Sequence, residues 1–187
     1  MKKKEDEFLK FLTENKKKAE DQKINWESNK QNWLEAVEHF FKKVEEFLKK
    51  YKEDDLIKIK YEEPFYISEE YLGNYQTKQM TITTADNITA KLTPIGRNII
   101  GAAGRIDLEG KNGIVRFVLV DKNSTMPKIK TQIIVGNKTT TNNNINTTQN
   151  IAKKELVWKI ATPPPNIQYT EFNKENFINS LMEVMNA

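Results

Sequence analysis

The alternation of apolar and polar positions divides the chain into two textures. From Glu5 to Lys52 the residues are mainly good helix formers. The first glycine is Gly73 and the first proline is Pro64. A seven-residue spacing runs through Leu12, Ala19, Trp26, Trp33, Phe40 and Phe47, all apolar. The companion stripe, Leu9, Lys16, Lys23, Lys30, Val37, Val44 and Tyr51, is apolar at its ends and lysine in its middle. Leu34, Phe41 and Leu48 widen the second half, which predicts a broad packing face from Trp33 to Tyr51 and a thin seam from Leu9 to Trp26. The pattern fits one long helix, or a helical hairpin broken near Asp21–Asn25. The unbroken phase favours the single helix. A helix of roughly 70 Å cannot bury its aromatics alone. It needs its own β region, a coiled-coil-like second copy or another protein.

After Asp54 the period changes to two. Strands are predicted at Leu56–Tyr61, Met80–Thr84, Ile88–Thr93, Arg105–Glu109, Ile114–Asp121, Ile129–Val135 and Leu156–Ala161. Ile167-Gln168-Tyr169 adds a short edge strand after the stiff Pro163-Pro164-Pro165. Asn173 caps a final helix, with Phe177, Leu181 and Val184 on one face and Ile178, Met182 and Met185 beside them. Residues 136–150 are almost wholly polar and read as a flexible loop. The expectation is an α+β protein: a long N-terminal helix or helical hairpin over 1–53, then an antiparallel sheet or small barrel with a short C-terminal helix over 54–187.

The stretch Leu92–Phe117 holds five of the seven glycines and all three arginines. A two-residue turn at Lys111-Asn112 between Gly110 and Gly113 places Leu108 opposite Val115 and Ile106 opposite Phe117. On the other face Asp107 falls opposite Arg116, and Arg105 opposite Val118. One register satisfies both faces, and a slip of one residue breaks both. Arg105 and Arg116 then share a face. They are expected in ion pairs with Asp107 and Glu109, the alternative being a carboxylate- or phosphate-binding surface. Gly101-Ala102-Ala103-Gly104-Arg105 is a GxxG loop, but no helix-turn-helix pattern surrounds it. Gly96, Gly101 and Gly104 mark bends or close packing.

Composition narrows the chemistry. There is no cysteine and one histidine, His39. Disulfides and thiolate catalysis are therefore excluded, and neither a Ser-His triad nor a zinc site is indicated. Adjacent acids such as Glu62-Glu63 point to opposite faces of a strand and make poor acid/base pairs. No catalytic residue, cofactor site or metal site is expected. The formal charge of +4 is scattered over 30 basic and 26 acidic residues. Nucleic-acid binding, through lysines, the Arg face and Phe65, Tyr66, Tyr71 and Tyr75, is thus the second reading. No apolar run reaches membrane-helix length, and MKKKEDEF lacks the apolar stretch of a secretory signal. A cytoplasmic location is the default.

LTPIGRNIIGAAGRIDLEGKNG, followed by VWKIATPPP and preceded by the Trp-containing NWLEAVEHFFKKVEEFLKKY, resembles the pattern of an uncharacterised bacterial protein family. The resemblance covers most of the chain outside 136–150. It implies a bacterial protein of this architecture and carries no activity or functional residue to transfer. The functional expectation is a non-enzymatic interaction factor, of accessory or immunity type. It would bind a protein partner or a second copy through residues 5–52 and the β domain. Trp26, Trp33, Phe40, Arg97, Arg105 and Arg116 are the candidate contacts.

Overall fold

The computed structural model describes residues 2–70, 72–97, 101–127, 134–135, 138–139 and 155–186. The predicted 136–150 loop lies outside them except for Lys138–Thr139, as does most of the strand expected at Ile129–Val135.

The fold is α+β. One uninterrupted helix, α1 (Lys2–Glu53), replaces the alternative of a hairpin. Strands β1 (Ile57–Glu69), β2 (Gly73–Thr84), β3 (Thr89–Gly96), β4 (Arg105–Gly110) and β5 (Gly113–Asp121) follow in a meander. The short β6 (Ile134–Val135) and β7 (Lys138–Thr139) pair with each other. Then come β8 (Leu156–Ala161), β9 (Tyr169–Glu171) and α2 (Lys174–Met185). The main sheet is open, with seven strands in the order β1-β2-β3-β4-β5-β8-β9, every neighbour antiparallel.

The first hairpin is longer than the alternation suggests. Past a register shift between Glu62 and Phe65, β1 continues to Glu69 and pairs with Gly73–Thr77 of β2. Here Pro64, Gly73 and a run of polar residues resemble loop composition, so no apolar period marks the strands. The β4–β5 hairpin has the expected register, with Ile106 opposite Phe117 and Leu108 opposite Val115.

The core lies on one face of the sheet. Trp33, Val37, Phe40, Phe41, Val44 and Leu48 of α1 meet Met80, Ile82, Leu92, Ile106, Leu108 and Phe117 of the strands. From the other end α2 adds Phe177, Leu181 and Val184. Its N-cap forms as expected, with Asn173 Oδ1 accepting from Asn176 N–H at 2.9 Å. Phe40 is the hub of the core. It stacks on Phe172 at 4.7 Å and meets Phe117 and Trp158 edge-on at 5.1 and 4.9 Å. Trp158 Nε1 donates to Ala36 O at 3.2 Å, tying β8 to the helix. The second half of α1, the main sheet and α2 share this core.

Trp33 and Phe40 are therefore core residues, 1% and 0% exposed, and are corrected as partner contacts. The sheet of their own chain takes up their rings.

Candidate functional site

Two regions remain outside the core, one on the helix and one on the opposite face of the sheet. The first is the N-terminal half of α1. Every described side chain between Lys4 and Ser28 is exposed. Phe8, Leu9, Phe11 and Leu12 are 60%, 64%, 57% and 47% exposed, and Trp26 is 40% exposed. This half is predominantly polar, and its exposed i,i+4 ion pairs, Lys10–Glu14 and Lys16–Glu20, are long at 4.0 Å and contribute little. An isolated helix of this composition would be marginal in water. Here it extends from a half already held by the core, so the nucleation cost is met elsewhere. Among the candidate helix contacts, Trp26 alone stays on this exposed half.

The three arginines, adjacent in sequence terms, part company in space. Arg97 works at the junction of helix and sheet. Its Nη2 donates to Asn29 Oδ1 at 3.0 Å, and its backbone N–H donates to the Glu69 carboxylate at 3.0 and 3.1 Å. Tyr75 donates its hydroxyl to the same carboxylate. Gly96 leaves room for this contact, because a Cβ there would lie 3.0 Å from Glu69 Cδ. Arg97 is thus a structural clamp that joins α1, β1 and β3. Burial, reinforced by the hydrogen bond to Glu69, pushes the Tyr75 hydroxyl far above its ordinary range.

Arg105 is committed to an ion pair. Its Nε and Nη2 donate to the two oxygens of Asp107 at 2.7 and 2.6 Å, a bidentate arrangement within one strand. That hydrogen bond raises the Arg105 pKa further against the opposing effect of burial. The expected cross-strand pairing of Asp107 with Arg116 is corrected. The two residues are register partners, yet the ion pair that forms is with Arg105, one bond to each carboxylate oxygen. Glu109 pairs with neither arginine.

Arg116 is half-buried and has no hydrogen-bond or ion-pair partner among the described residues. It lines a hollow of about 500 Å³ with Arg105, Val118, Ala161, Pro164 and Tyr169. Hydrogen bonds hold the surrounding loops. Thr162 N–H donates to Gln168 O at 2.9 Å, and Gln168 N–H donates to Thr162 Oγ1 at 2.8 Å, which closes the proline turn. Tyr169 N–H donates to Thr125 O at 2.9 Å, which brings the 122–127 loop against β9. Among the candidate sheet contacts, the hairpin pattern alone brings Arg105 and Arg116 together. Tyr169 was missed as their neighbour, because β9 reaches that face only by adding to β8.

Other candidates do not form a shared site. His39 is exposed and lines a smaller hollow of about 310 Å³ with Lys43, Lys122 and Lys159. Lys159 Nζ there already donates to the carbonyls of Lys122 and Ser124, each at 2.8 Å. Of the aromatics considered for base stacking, Tyr75 is buried, Phe65 packs on the core and Tyr66 is 61% exposed. Tyr71 lies outside the described residues. They make no continuous platform. Among the described residues no group of three His, Asp or Glu side chains is placed to hold a metal ion, and no helix is long and apolar enough to cross a membrane. Comparison of the chain with known protein families, with curated proteins and with solved structures finds no match.

Proposed function

We propose that this chain is a protein-interaction factor, of accessory or immunity type in a bacterium, and that it engages a helical segment of a protein partner through the exposed half of α1. The supporting observation is the cluster of Phe8, Leu9, Phe11 and Leu12, large apolar side chains within about one helical turn, each about half exposed or more. Complete burial of such a side chain from full exposure contributes about 1.5–3 kcal/mol, and covering one that is already about half covered contributes roughly half of that. A partner helix laid against the seam covers several at once. The second half of α1 already packs on the sheet, which leaves the exposed half of the same helix to meet a partner. Self-association through paired arms is the simplest form of this reading.

Sedimentation velocity of the full chain over a wide concentration range tests it, with L9E/L12E as the comparison. A second experiment places a photo-crosslinking residue at Leu12 and, as a control, at the exposed Lys42. The expected outcome is a concentration-dependent dimer abolished by L9E/L12E, or a single protein crosslinked from position 12 and not from 42. A monomer at every concentration with no position-specific crosslink overturns the reading. Salt-sensitive capture of nucleic acid would favour the alternative of a nucleic-acid-binding module.

A further inference from the structure

The hollow on the outer face of the sheet is independent of the arm, and its geometry follows from register. Arg116 of β5 pairs with Ala161 of β8, and Ala161 pairs with Tyr169 of β9. These three residues form a row across adjacent strands, with side chains on one face. The outer two are separated by roughly 10 Å at Cα. The middle one contributes only a methyl group. Two long side chains that can donate hydrogen bonds thus flank a gap left by a small residue. Arg105 and Val118, register partners of each other, form the adjoining wall. Pro164 and Ile167 of the closed proline turn form another.

The chemistry of the gap is specific. The Arg116 guanidinium is a planar set of hydrogen-bond donors with no acceptor, and it has no partner among the described residues. The nearest acid by register, Asp107, is spent on Arg105. The Tyr169 hydroxyl makes no hydrogen bond among the described residues, and burial pushes its pKa upward, so it remains a donor. The local charge is one uncompensated positive, which matches a monoanion. A guanidinium fork beside a hydroxyl suits the planar, two-oxygen acceptor of a carboxylate. Val118, Ala161, Pro164 and Ile167 offer apolar surface to the remainder of a ligand, and the hydroxyl of Thr162, which also lines the hollow, donates to Asn166 O and accepts from Gln168 N–H. The volume of about 500 Å³ lies within the range of small-molecule pockets.

We propose that this hollow binds a small monocarboxylate with an apolar body, the carboxylate held by Arg116 and Tyr169 and the body lying against Val118, Pro164 and Ile167.

With three arginines in the chain, the test can be read at the residue itself. In the ¹⁵N-labelled full-length protein the arginine Nε–Hε signals are assigned with R97Q, R105Q and R116Q. They are then followed during titration with hexanoate, with hexanamide as the neutral analogue and with inorganic phosphate at matched ionic strength. The expected result is a saturable shift of the Arg116 signal with hexanoate and none with hexanamide. R116Q weakens hexanoate binding about tenfold or more, the worth of a lost charge-assisted hydrogen bond, and A161L weakens it by filling the gap between Arg116 and Tyr169. The backbone amide spectrum of each variant shows whether it has folded. Y169F, which keeps the ring, weakens binding less. A linear, non-saturating response to hexanoate overturns the proposal. So does an equal response to phosphate, or a folded R116Q that binds hexanoate as the parent does.

Discussion

The indole of Trp33 lies directly over Gly104. A Cβ added at Gly104 would stand 2.2 Å from Trp33 Cζ3 and 2.6 Å from Cε3. Trp33 is 1% exposed and hemmed in by Trp158, with ring centroids 6.0 Å apart, so the ring has little room to retreat. The glycine before β4 is therefore a seat for a tryptophan of the helix. G104A should destabilise the protein by about 2–3 kcal/mol, as overpacking of a tight core does. Gly73 is the control. It has a positive φ of 68° and nothing within 4 Å of an added Cβ, so G73A should cost about 1 kcal/mol through backbone strain alone. Urea unfolding of both variants checks the difference.

The two halves of α1 should respond oppositely to truncation. Phe40 is fully buried and touches four other rings, so F40A should cost about 3–5 kcal/mol. L9S/L12S removes side chains that are 64% and 47% exposed and should change unfolding of the body by about 0.5 kcal/mol or less. Comparable losses from both would mean that the exposed half packs on the same chain.

The Arg105–Asp107 pair should be asymmetric. The Asp107 side chain is 11% exposed and that of Arg105 is 29% exposed. R105A strands a mostly buried carboxylate and should cost about 2–3 kcal/mol. D107N leaves a guanidinium that can turn toward water and should cost about 1 kcal/mol. Denaturant midpoints of the two variants decide it.

Alkaline pH should destabilise the fold earlier than the lysines alone would require. Burial, followed by interactions with Glu69 and Glu45 respectively, raises the Tyr75 and Tyr61 hydroxyls well above their ordinary value of 10.0. The unfolded chain gives up those protons first. The contribution of each is thus fully present below pH of about 10 and is lost as pH rises through the folded-state value. The expected curve of stability against pH is flat in these groups up to about 10 and falls beyond it. Y75F should flatten the fall, as measured by urea midpoints between neutral and alkaline buffers. An unchanged slope would show that Tyr75 is not among the groups responsible.

Local rules carried much of the fold. The absence of glycine and proline before Pro64, with an unbroken seven-residue phase, marked α1. The alternation around Lys111-Asn112 set the β4–β5 register, because each face had one consistent partner set. Asn173, followed by Phe177, Leu181 and Val184, marked α2 and its buried side. These features depend on neighbours within a few residues or one hairpin, whose energetics a sequence displays directly. The longer first hairpin was hidden, since only Phe65, Ile67 and Tyr75 of Phe65–Glu69 and Gly73–Thr77 reach the core, and Pro64, Gly73 and the polar residues around them interrupt the apolar period.

Tertiary structure decided which surfaces are left over. Trp33 and Trp26 are alike in the heptad pattern, yet Trp33 is buried in the core and Trp26 stays 40% exposed, because the core is built on the second half of α1. The three arginines are alike as residues, yet each met a different competitor. Asn29 and the Glu69 carboxylate, reached across the chain, engage Arg97, and Asp107 engages Arg105. Arg116 has no partner among the described residues, while Asp107, its register partner, is held bidentately by Arg105 of its own strand. Competition of that kind depends on distances between side chains, and a linear pattern of charges does not contain them.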